Sequence, residues 1–596
     1  MKKNIVITGI GIISAIGNDK ESVLRSLLKG NSGISEMNHL QSSHHELPVG
    51  EVHLSNDEMK EKLNIPLSFT VSRTALLGMM AVGQALEDAS LSTVNTEQGR
   101  GLILLSGTTV GGMDITEQQF HKLRNADCYP DCLNHHTPYQ NTKMIAEHFK
   151  VFKDHATIST ACSSAANAII LGARLLSSGQ ADIVVAGGTE ALSVFHLNGF
   201  NSLMILDQER CRPFDAQRAG LNLGEGAAYV VLESEESAQS RGIEILGYLN
   251  GWGNACDAFH QTASSPQGEG AYLAMEQALK EACLSPTDID YVNAHGTGTP
   301  DNDASESQAL IRIFQEHIPP ISSTKSFTGH TTSASGSIET VISLLALRHQ
   351  FIPINLGFKN AMANGIVPFV NEEHGELQHV ICNSFGFGGN DASLVLSSTG
   401  KTHMEQSTLQ HTIQTHPFYE ISNEEELMEI RQYVKPMEAR RMGRLMKSSL
   451  LASLKALELA GIDHPDAIIT VTSLGCLENS EQLLIQLDEE GETMLKPTYF
   501  MQSTHNTIGS AIAIHTHCHG YNVTYVAPSE WEASTEERLK WALRDAYMLL
   551  NTGQAQHVLV GIHDETTPLY RRLLEHGNIR NTLPIHSLSM VLSCTD

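Results

Sequence analysis

Short apolar runs alternate with longer amphipathic segments along roughly the first 400 residues of the chain. Runs rich in Ile and Val that end at glycine or serine turns predict buried strands, and the segments between them have the spacing of helices. Strands that alternate with helices form a mainly parallel or mixed sheet covered by helices, so the pattern predicts an α/β fold. Six runs carry this signal: KNIVITGIG, GLILLSGTTVGG, ADIVVAGGTE, AAYVVLES, IDYVNAHGTG and ASLVLSSTG.

The alternation stops between Ser397 and Thr415, where the chain reads STGKTHMEQSTLQHT and has no apolar periodicity. Strand-like and helix-like patterning resumes after this stretch. Polar segments without periodicity are typical of loops and linkers. We therefore predict a boundary near residue 405, a linker over residues 401–415 and a second domain over residues 416–596.

The segment after this boundary repeats part of the first domain. The helix-like segment that begins at Arg73 matches the one that begins at Arg444, 371 residues later. Two strand-and-turn segments that follow it recur in the same order, 364 and 374 residues later. Chance similarity between amphipathic helices is the alternative, but three matches in one order predict an incomplete second copy of the first domain's N-terminal half.

Composition and charge narrow the class of protein. Of the 596 residues, 41% are hydrophobic and 18% are charged, which is typical of a globular enzyme and not of a disordered chain. A net charge of −28 would repel nucleic-acid phosphates and anionic membrane surfaces, so we expect no nucleic-acid partner. No run reaches about 18 uninterrupted apolar residues, so no membrane span is predicted.

The N-terminus and the cysteines bear on localisation. The segment MKKNIVITGIGIISAIG could be a secretory signal, but its small residues and glycines between Ile and Val favour a buried strand and turn. The ten cysteines are spaced irregularly, which fits neither a disulfide framework nor a zinc site. We expect a cytoplasmic protein.

Four short segments of the first domain carry groups suited to nucleophilic acyl transfer. In the first, Cys162 lies in STACSS, between strand-like residues and an Ala/Leu-rich helical run. The N-terminus of a helix favours a thiolate, so this position predicts a lowered pKa and a thiol exposed to substrate. A lone cysteine at such a turn is more often structural.

The second and third segments each place a histidine on a turn. His295 lies in NAHGTGTP and is followed by Asp303, whereas Lys325 and His330 lie in KSFTGH and are followed by Glu339. A histidine on a glycine-rich turn can present a ring nitrogen to a cleft. Taken alone, either histidine is more often a structural residue.

The fourth segment, NSFGFGGND, contains Phe387, Gly388 and Gly389. Its glycines permit positive φ angles, and they let backbone N–H groups converge on a ligand oxygen. Together, one thiol, two histidines, one lysine and this loop favour a catalytic reading of all four segments.

The set, in this order and on these turns, resembles the decarboxylating β-ketoacyl-[acyl carrier protein] synthases of the thiolase fold. The resemblance covers residues 1 to about 398 and includes RPFD at Arg212 and GEG at Gly224. It implies a duplicated αβαβα five-layer fold. The N-terminal half, residues 1–250, would carry Cys162, and the C-terminal half, residues 251–400, would carry the two histidines.

The resemblance also implies the chemistry. Cys162 would accept an acyl group from carrier-protein phosphopantetheine, and a malonyl group on a second carrier would lose its carboxylate and attack that thioester. His295 and His330 would act as neutral imidazoles that stabilise the enolate. Lys325, paired with Glu339, would position the histidines. Neither a metal nor a bound cofactor is implied.

The remaining site residues are assigned in the same way. Backbone N–H groups of Cys162 and Phe387 would form the oxyanion hole, and Phe387 would gate the acyl pocket. Substrate-binding and supporting residues would be Thr297, Thr299, Gly388 and Gly389, with Asp303 as structural support. One departure is visible, because the family usually has Thr-Asn where this chain has Asn390-Asp391.

The second copy lacks a cysteine at the corresponding turn. Counting back from the matched glycine reaches Glu536, although a register slip would place Ser529 or Ser534 there. A ketosynthase half without its cysteine resembles the chain-length factors of aryl polyene and flexirubin-type pathways. That implies an intrachain pseudo-dimer, with acyl- and malonyl-loaded acyl carrier protein, a ketoreductase and a dehydratase as partners. A homodimer of such chains is equally open.

Two alternatives stay open for the second copy. The chain could be an ordinary fatty-acid elongation synthase whose extra half only covers an interface, or that half could be a scaffold that recruits a carrier protein. The basic run from Arg440 to Lys447, which includes Arg444, could be a solvated helix face or a docking patch. Histidines in HTHCHG alternate as on one strand face but lack a second ligand pair, so no metal site is predicted.

Overall fold

A computed structural model describes residues 3–92, 101–126, 130–370, 376–401, 412–493, 495–579 and 582–595. Within these ranges the strands are β1 (Ile5–Ser14), β2 (Leu102–Gly107), β3 (Phe152–Ile158), β4 (Ile183–Glu190), β5 (Gly226–Ser234), β6 (Gly247–Cys256), β7 (Tyr291–Asn293), β8 (Ile321–Ser322), β9 (His379–Gly386), β10 (Asn390–Ser397), β11 (Thr412–Thr415), β12 (Tyr419–Ile421), β13 (Ala467–Thr472), β14 (Tyr521–Val526), β15 (His557–Glu565) and β16 (Ile585–Thr595). All six strands predicted above are present, as β1, β2, β4, β5, β7 and β10.

The α-helices of the described residues are α1 (Lys20–Lys29), α2 (Asn56–Lys62), α3 (Arg73–Asp88), α4 (Met113–Arg124), α5 (Pro138–Phe149), α6 (Ser164–Ser177), α7 (Val194–Ser202), α8 (Glu235–Arg241), α9 (Glu269–Ala282), α10 (Pro300–Phe314), α11 (Lys325–Thr328), α12 (Ser335–His349), α13 (Pro436–Ala439), α14 (Arg444–Ala460), α15 (Leu477–Glu490), α16 (Pro497–Met501), α17 (Thr507–Thr516), α18 (Thr535–Asn551) and α19 (Pro568–His576). None of them is long and apolar enough to cross a membrane.

The first domain contains two sheets with two buried helices between them. One sheet has the strand order β3-β2-β4-β5-β1 and the other has the order β6-β10-β9-β7-β8. α6 and α12 are buried over nearly their whole lengths, and each contacts strands of both sheets. α3 covers the outer face of the first sheet and α9 that of the second, which gives the predicted five layers.

The two sheets meet where β1 pairs with β6 through Val6–Tyr248 and Ile7–Gly247. β6 spans residue 250, at which the sequence analysis divides the two halves of the first domain. The apolar run of β6 is interrupted by three glycines and two asparagines, and this composition hides the strand from a hydrophobicity pattern.

The second copy repeats the first sheet strand by strand. Its order is β14-β13-β15-β16-β11, and its pairings are parallel or antiparallel at the same places as in β3-β2-β4-β5-β1. β11 occupies residues 412–415, which the sequence analysis assigned to the linker; pairing with β16 places them in the second copy instead. The predicted boundary at residue 405 lies outside the described residues.

The two copies join edge to edge through β3 and β14, which are counterparts. These strands pair antiparallel, with Ile158 opposite Tyr525 and Thr157 opposite Val526. The next backbone N–H along the chain, that of Ser159, donates to the carbonyl oxygen of Thr524 at 2.9 Å. The strand that leads to Cys162 is therefore interior to one continuous sheet, and the predicted intrachain pseudo-dimer is present.

A buried polar cluster, the Arg174 cluster, lies across this junction between α6 and α18. The guanidinium of Arg174 lies 2.7 Å from a carboxylate oxygen of Asp545, and neither side chain is more than 6% exposed. The hydroxyl groups of Tyr521 and Tyr525 donate to the other oxygen of Asp545 at 2.8 and 2.9 Å. A buried carboxylate needs this many partners. The cluster therefore fixes how α6 of the first copy packs against α18 of the second.

Candidate active site

Cys162 lies at the turn between β3 and the buried helix α6. β3 ends at Ile158, a 3₁₀ turn spans Ala161–Ser163, and α6 begins at Ser164. Ala161 has a φ of +52°, a left-handed conformation that is uncommon for residues other than glycine. Strain of this kind persists only where the surrounding fold enforces it, and here it directs the backbone immediately before the thiol.

Two histidines from distant turns meet this thiol. Nε2 of His330 lies 3.1 Å from Sγ of Cys162, and Nδ1 of His330 lies 3.0 Å from Oγ of Ser335. One side-chain atom each of Cys162, His295 and His330 lies within 4.8 Å of the others. The imidazole rings are nearly perpendicular, with centroids 5.3 Å apart. The fold thus brings together three groups that the sequence places on separate turns.

His295 follows β7 on a turn that is tied to α10. The carboxylate of Glu306 accepts hydrogen bonds from the backbone N–H groups of His295 and Gly296, at 2.8 and 2.7 Å. Nδ1 of His295 is buried and has no hydrogen-bond partner within the described part of the chain. Glu306 therefore positions His295 through its backbone, a role the sequence analysis did not assign to it.

The two threonines of the same turn contact each other. Oγ1 of Thr297 lies 2.9 Å from Oγ1 of Thr299, and both side chains are buried. Asp303 supports the turn, because its carboxylate accepts a hydrogen bond from the backbone N–H of Gly298 at 3.2 Å. A role for the threonines in binding pantetheine stays a prediction.

Lys325 and Glu339 form a buried ion pair beside the histidines. Nζ of Lys325 donates to Oε1 of Glu339 at 2.5 Å, and both side chains are at most 3% exposed. Burial lowers the pKa of His295 and of His330 well below the usual value, and the charge of Lys325 lowers both pKa values further. Both imidazoles are therefore neutral at physiological pH, as the resemblance implied.

The thiol of Cys162 does not have the lowered pKa that its position at a helix N-terminus predicts. Burial raises this pKa to about 12, although the charge of Lys325 and the backbone N–H of Phe387 act in the opposite direction. The side chain is also buried and not exposed. The prediction was wrong because desolvation of a thiolate inside the fold outweighs the helix N-terminus.

The loop after β9 reaches the thiol from the other side. Gly388 and Gly389 have φ angles of +86° and +73°, which a residue with a Cβ adopts only with strain. The second copy holds this loop, because Nδ2 of Asn506 donates to the carbonyl oxygen of Phe387 and to Oδ1 of Asn390, both at 2.7 Å. The sequence carries no local signal for Asn506.

Asn390 and Asp391 are the positions where the chain departs from the family pattern. Asn390 faces the second copy, since its Nδ2 donates to the backbone carbonyl oxygen of Asn522 at 2.9 Å. Asp391 is buried, and burial together with the charge of Asp257 raises its pKa well above the usual value. The side chain of Asn390 therefore has partners, and they come from the second copy.

An aromatic cluster links this loop to the second copy. The rings of Phe387 and Phe200 stack with centroids 5.8 Å apart, and Phe500 of the second copy meets Phe200 edge-on at 5.1 Å. Phe500 lies so close to α7 that a Cβ on Gly199 would come within 2.1 Å of its ring. A residue larger than glycine at position 199 would therefore force the ring of Phe500 to move.

Comparison with known proteins agrees with this geometry. Residues 2–238 match the family model for the β-ketoacyl synthase N-terminal domain, and residues 246–359 match the C-terminal domain. Residues 411–594 match a second model of the N-terminal domain. The chain is 33% identical over 424 residues to 3-oxoacyl-[acyl-carrier-protein] synthase 2 of Vibrio cholerae, covering 66% of this chain and 99% of that protein. The chain belongs to the β-ketoacyl synthase family.

Two solved structures extend the comparison. The ishigamide ketosynthase/chain length factor is 28% identical with a TM-score of 0.62, covering 67% of this synthase and all of that chain. The PfaC keto synthase–chain length factor is 18% identical with a TM-score of 0.78, covering 99% of this synthase and 78% of that chain. The similarity to the PfaC structure spans both copies of this chain. It shows that a solved structure has the same fold over both copies.

The second copy of the synthase has no thiol at the turn that corresponds to Cys162. Residues 527–534 connect β14 to α18 and contain no cysteine. Ser529 and Glu530 lie in this turn, whereas Glu536 lies in the first turn of α18. α18 is three residues longer than α6. Counting back from the matched glycine by the spacing of the first copy therefore reached Glu536 inside the helix, and this assignment was wrong.

Two further sequence interpretations change. Arg444, within the basic run, forms ion pairs with Glu424 at 2.6 Å and Glu478 at 3.1 Å, so its charge is already paired. His515 lies in α17 and pairs with Glu438 at 2.9 Å. The histidines of HTHCHG therefore do not lie on one strand face, because the helix extends into the motif.

The raised pKa of Cys162 predicts how its reactivity depends on pH. A thiol with a pKa of about 12 is protonated at neutral pH, and its thiolate fraction grows about tenfold per pH unit below that value. We expect the rate of alkylation of Cys162 by iodoacetamide, followed by peptide mass spectrometry, to rise continuously from neutral pH to about pH 10. A plateau near neutral pH would contradict the raised pKa.

Proposed function

We propose that the synthase elongates an acyl chain bound to Cys162 by decarboxylative condensation with malonyl-[acyl carrier protein]. The observation that carries this proposal is the convergence of Cys162, His295 and His330, with the N–H of Phe387 directed at the thiol. The mechanism uses only residues of the chain and the phosphopantetheine of the carrier, so we propose no further cofactor and no metal.

In the first half-reaction, Sγ of Cys162 attacks the carbonyl carbon of an acyl-pantetheine thioester. The proton of the thiol passes through His330, whose Nε2 lies 3.1 Å from Sγ, to the departing pantetheine sulfur. Backbone N–H groups of Cys162 and Phe387 would hold the negative oxygen of the tetrahedral intermediate. Each such donor contributes about 3 kcal/mol in comparable enzymes.

In the second half-reaction, the bond between the malonyl carboxylate and its α-carbon breaks and CO₂ leaves. The electron pair forms an enolate, whose oxygen accepts hydrogen bonds from the neutral imidazoles of His295 and His330. The α-carbon then attacks the acyl carbonyl carbon, the carbon–sulfur bond to Cys162 breaks, and the β-ketoacyl chain stays on the carrier. Sγ of Cys162 leaves as a thiolate and takes up one proton from solvent, which restores the thiol. Burial and, to a smaller extent, the charge of Lys325 lower the pKa of both imidazoles, so both enter this half-reaction neutral.

We further propose that the second copy acts as a covalently attached chain-length factor. Support comes from the cavity between the copies, which is lined by residues of both. Phe195 and Phe500 form part of its wall, and the same rings belong to the aromatic cluster that abuts Phe387. An acyl chain that passes Phe387 would meet this wall.

The product we propose is a polyene chain of the aryl polyene or flexirubin type. It would require acyl carrier protein as partner and a ketoreductase and a dehydratase to process each β-keto group. The test is a reconstitution of the synthase with these activities and malonyl-loaded carrier, followed by mass and absorption spectra of the products. Products that grow by two-carbon units with increasing conjugation support the proposal, whereas saturated chains alone would assign ordinary fatty-acid elongation.

Phe500 gives the chain-length proposal its sharpest test. Phe500→Ala removes a ring from the cavity wall without touching the catalytic residues, so we expect longer products at a similar rate of Cys162 acylation. Phe418→Ala is the matched control, because Phe418 is also in the second copy and is 58% exposed. An unchanged length distribution in Phe500→Ala would argue that the second copy does not set chain length.

A further inference from the structure

Five buried asparagines form a continuous hydrogen-bonded chain beside the thiol, which we call the asparagine network. Asn167, Asn254 and Asn390 belong to the first copy, and Asn506 and Asn522 belong to the second. None of the five is more than 4% exposed. A buried amide costs free energy unless it is hydrogen-bonded, so the route of these hydrogen bonds shows which parts of the fold the network fixes.

One end of the network lies on the turn that carries Cys162. Nδ2 of Asn167, on α6, donates to Oγ1 of Thr160 at 2.9 Å and to Oγ of Ser163 at 3.3 Å. Thr160 precedes the thiol in this turn and Ser163 follows it. Nδ2 of Asn254, on β6, donates in turn to Oδ1 of Asn167 at 2.7 Å. The backbone that supplies the N–H of Cys162 is therefore anchored to the network.

The other end lies on the loop that carries the N–H of Phe387. Nδ2 of Asn506 donates to the carbonyl oxygen of Phe387, which accepts no other hydrogen bond within the described residues. The same Nδ2 atom donates to Oδ1 of Asn390 at the far side of the loop. Gly388 and Gly389, between these two contacts, have the conformational freedom of glycine. The first copy holds the two glycines through their backbone, but the carbonyl of Phe387 is held by Asn506.

The second copy joins these two ends. The backbone N–H of Asn522, on β14, donates to Oδ1 of Asn254 at 2.9 Å, and its carbonyl oxygen accepts from Nδ2 of Asn390 at 2.9 Å. β14 is the strand that pairs with β3, so this link lies in the junction between the copies. The two members from the second copy thus connect the segments of the first copy that carry the thiol and its facing loop.

The connected segments face each other across the thiol. The N–H of Phe387 is directed at Sγ of Cys162. Gly386, which precedes Phe387, lies so close to the turn that a Cβ on it would be 3.2 Å from the backbone nitrogen of Cys162. The N–H groups of Phe387 and Cys162 are thus neighbours, and the network fixes the two segments that carry them.

We infer that Asn506 is a positioning residue of the condensation. It holds the N–H of Phe387 where that group and the N–H of Cys162 together bind the negative oxygen of the tetrahedral intermediate. This role rests on the proposed function and extends it, because the second copy then takes part in each acyl transfer in addition to any effect on chain length. Asn506 acts through the backbone of Phe387, since within the described residues its hydrogen bonds go to the loop and none goes to the thiol.

The physical basis is the point in the reaction at which the negative charge forms. The oxygen of a thioester becomes an anion only in the tetrahedral intermediate, so donors help only if they already lie where that oxygen will be. A displacement of about 1 Å can cost about a hundredfold in rate. Alkylation by iodoacetamide is different, because the sulfur of Cys162 displaces iodide from a saturated carbon and no oxygen anion forms.

The test compares these two reactions of Cys162 in the full-length protein, each followed by intact mass. Asn506→Leu removes the Nδ2 donor and nearly preserves the side-chain volume, and Asn506→Ala removes the donor without adding apolar bulk. In both variants we expect the maximal rate of acylation by octanoyl-pantetheine to fall about 10- to 100-fold, with little change in the half-saturating concentration. The rate of alkylation by iodoacetamide should stay within about threefold of the wild type.

Asn479→Leu and Asn479→Ala are the matched controls. Asn479 is a buried asparagine of the second copy, on α15, and its Nδ2 donates to the carbonyl oxygen of Gln502 at 3.2 Å. These controls remove a comparable amide whose hydrogen bond stays within the second copy. Their ratio of acylation rate to alkylation rate should equal that of the wild type.

Equal losses of acylation and alkylation in the Asn506 variants would show that Asn506 only supports the fold, and so would failure of both variants to fold. Acylation at the wild-type rate in either variant would show that the N–H of Phe387 is held without Asn506. Each of these results would overturn the inference and leave the proposed function intact. No acylation of Cys162 in the wild type would instead overturn the proposed function, and the inference with it.

Discussion

Cys162→Ala should form no acyl-enzyme, and its condensation rate should fall by on the order of 10⁴-fold or more. The reason is that the acyl chain passes through a covalent bond to Sγ, and the structure offers no second thiol next to His330 among the described residues. The measurement is intact mass after incubation with acyl carrier protein, with a steady-state assay of β-ketoacyl product alongside.

Cys476→Ala is the matched control for this variant. Cys476 is also buried, but it lies in the second copy at the start of α15 and contacts no catalytic group. It should acylate as the wild type does. Acyl mass on Cys162→Ala equal to that on the wild type would place the nucleophile elsewhere. No acyl mass on the wild type, with carrier binding intact, would favour a scaffold role for the protein.

The residues that converge around the thiol were predictable because each lies in a short segment with its own turn residues. His295 follows a strand and precedes a glycine. His330 follows a glycine and lies five residues after Lys325. Such local patterns can be recognised in the sequence without knowledge of the rest of the fold. The same is true of the strands with long Ile and Val runs, such as β1 and β4.

The electrostatics of the site were not predictable in this way. The expectation for Cys162 used only its local position before a helix, but its pKa depends on how completely distant segments bury it. Glu306 was visible in the sequence without a role, because its contact with the backbone of His295 depends on the direction of α10. Burial and direction are tertiary properties, which periodicity does not encode.

The contribution of the second copy to the site was the feature least predictable from the sequence. Asn506, Phe500 and His505 lie more than 300 residues from Cys162 in the chain, and they reach the site only because β14 pairs with β3. β3 itself reads FKDHATI, with polar residues at its start, so its role as the joining strand has no hydrophobic signal. The repeat predicted a pseudo-dimer but not which side chains cross it.

Arg174→Ala and Asp545→Ala should each lower the free energy of unfolding by about 3–5 kcal/mol. Each variant removes one member of the Arg174 cluster and leaves a charge buried without its partner, because Arg174 is 6% and Asp545 0% exposed. Asp545→Ala also leaves the buried hydroxyl groups of Tyr521 and Tyr525 without their hydrogen-bond acceptor. Urea denaturation followed by tryptophan fluorescence measures the change.

Lys540→Ala is the control that separates burial from charge pairing. Lys540 forms an ion pair with Asp154 at 2.5 Å across the same junction, but its side chain is 54% exposed. An exposed pair contributes at most about 1 kcal/mol, because water screens it and the long side chain loses freedom in forming it. Equal losses in Arg174→Ala and Lys540→Ala would show that burial does not set the importance of these pairs.

The double variant Arg174→Ala/Asp545→Ala completes the argument. Removing both charges leaves neither one buried alone, so its loss of stability should be smaller than the sum of the two single losses. Because α6 begins two residues after Cys162, a loosened α6–α18 contact should also slow acylation in the single variants below their unfolding transition. Acylation at the wild-type rate in both would mean that the junction stabilises the fold without positioning the nucleophile.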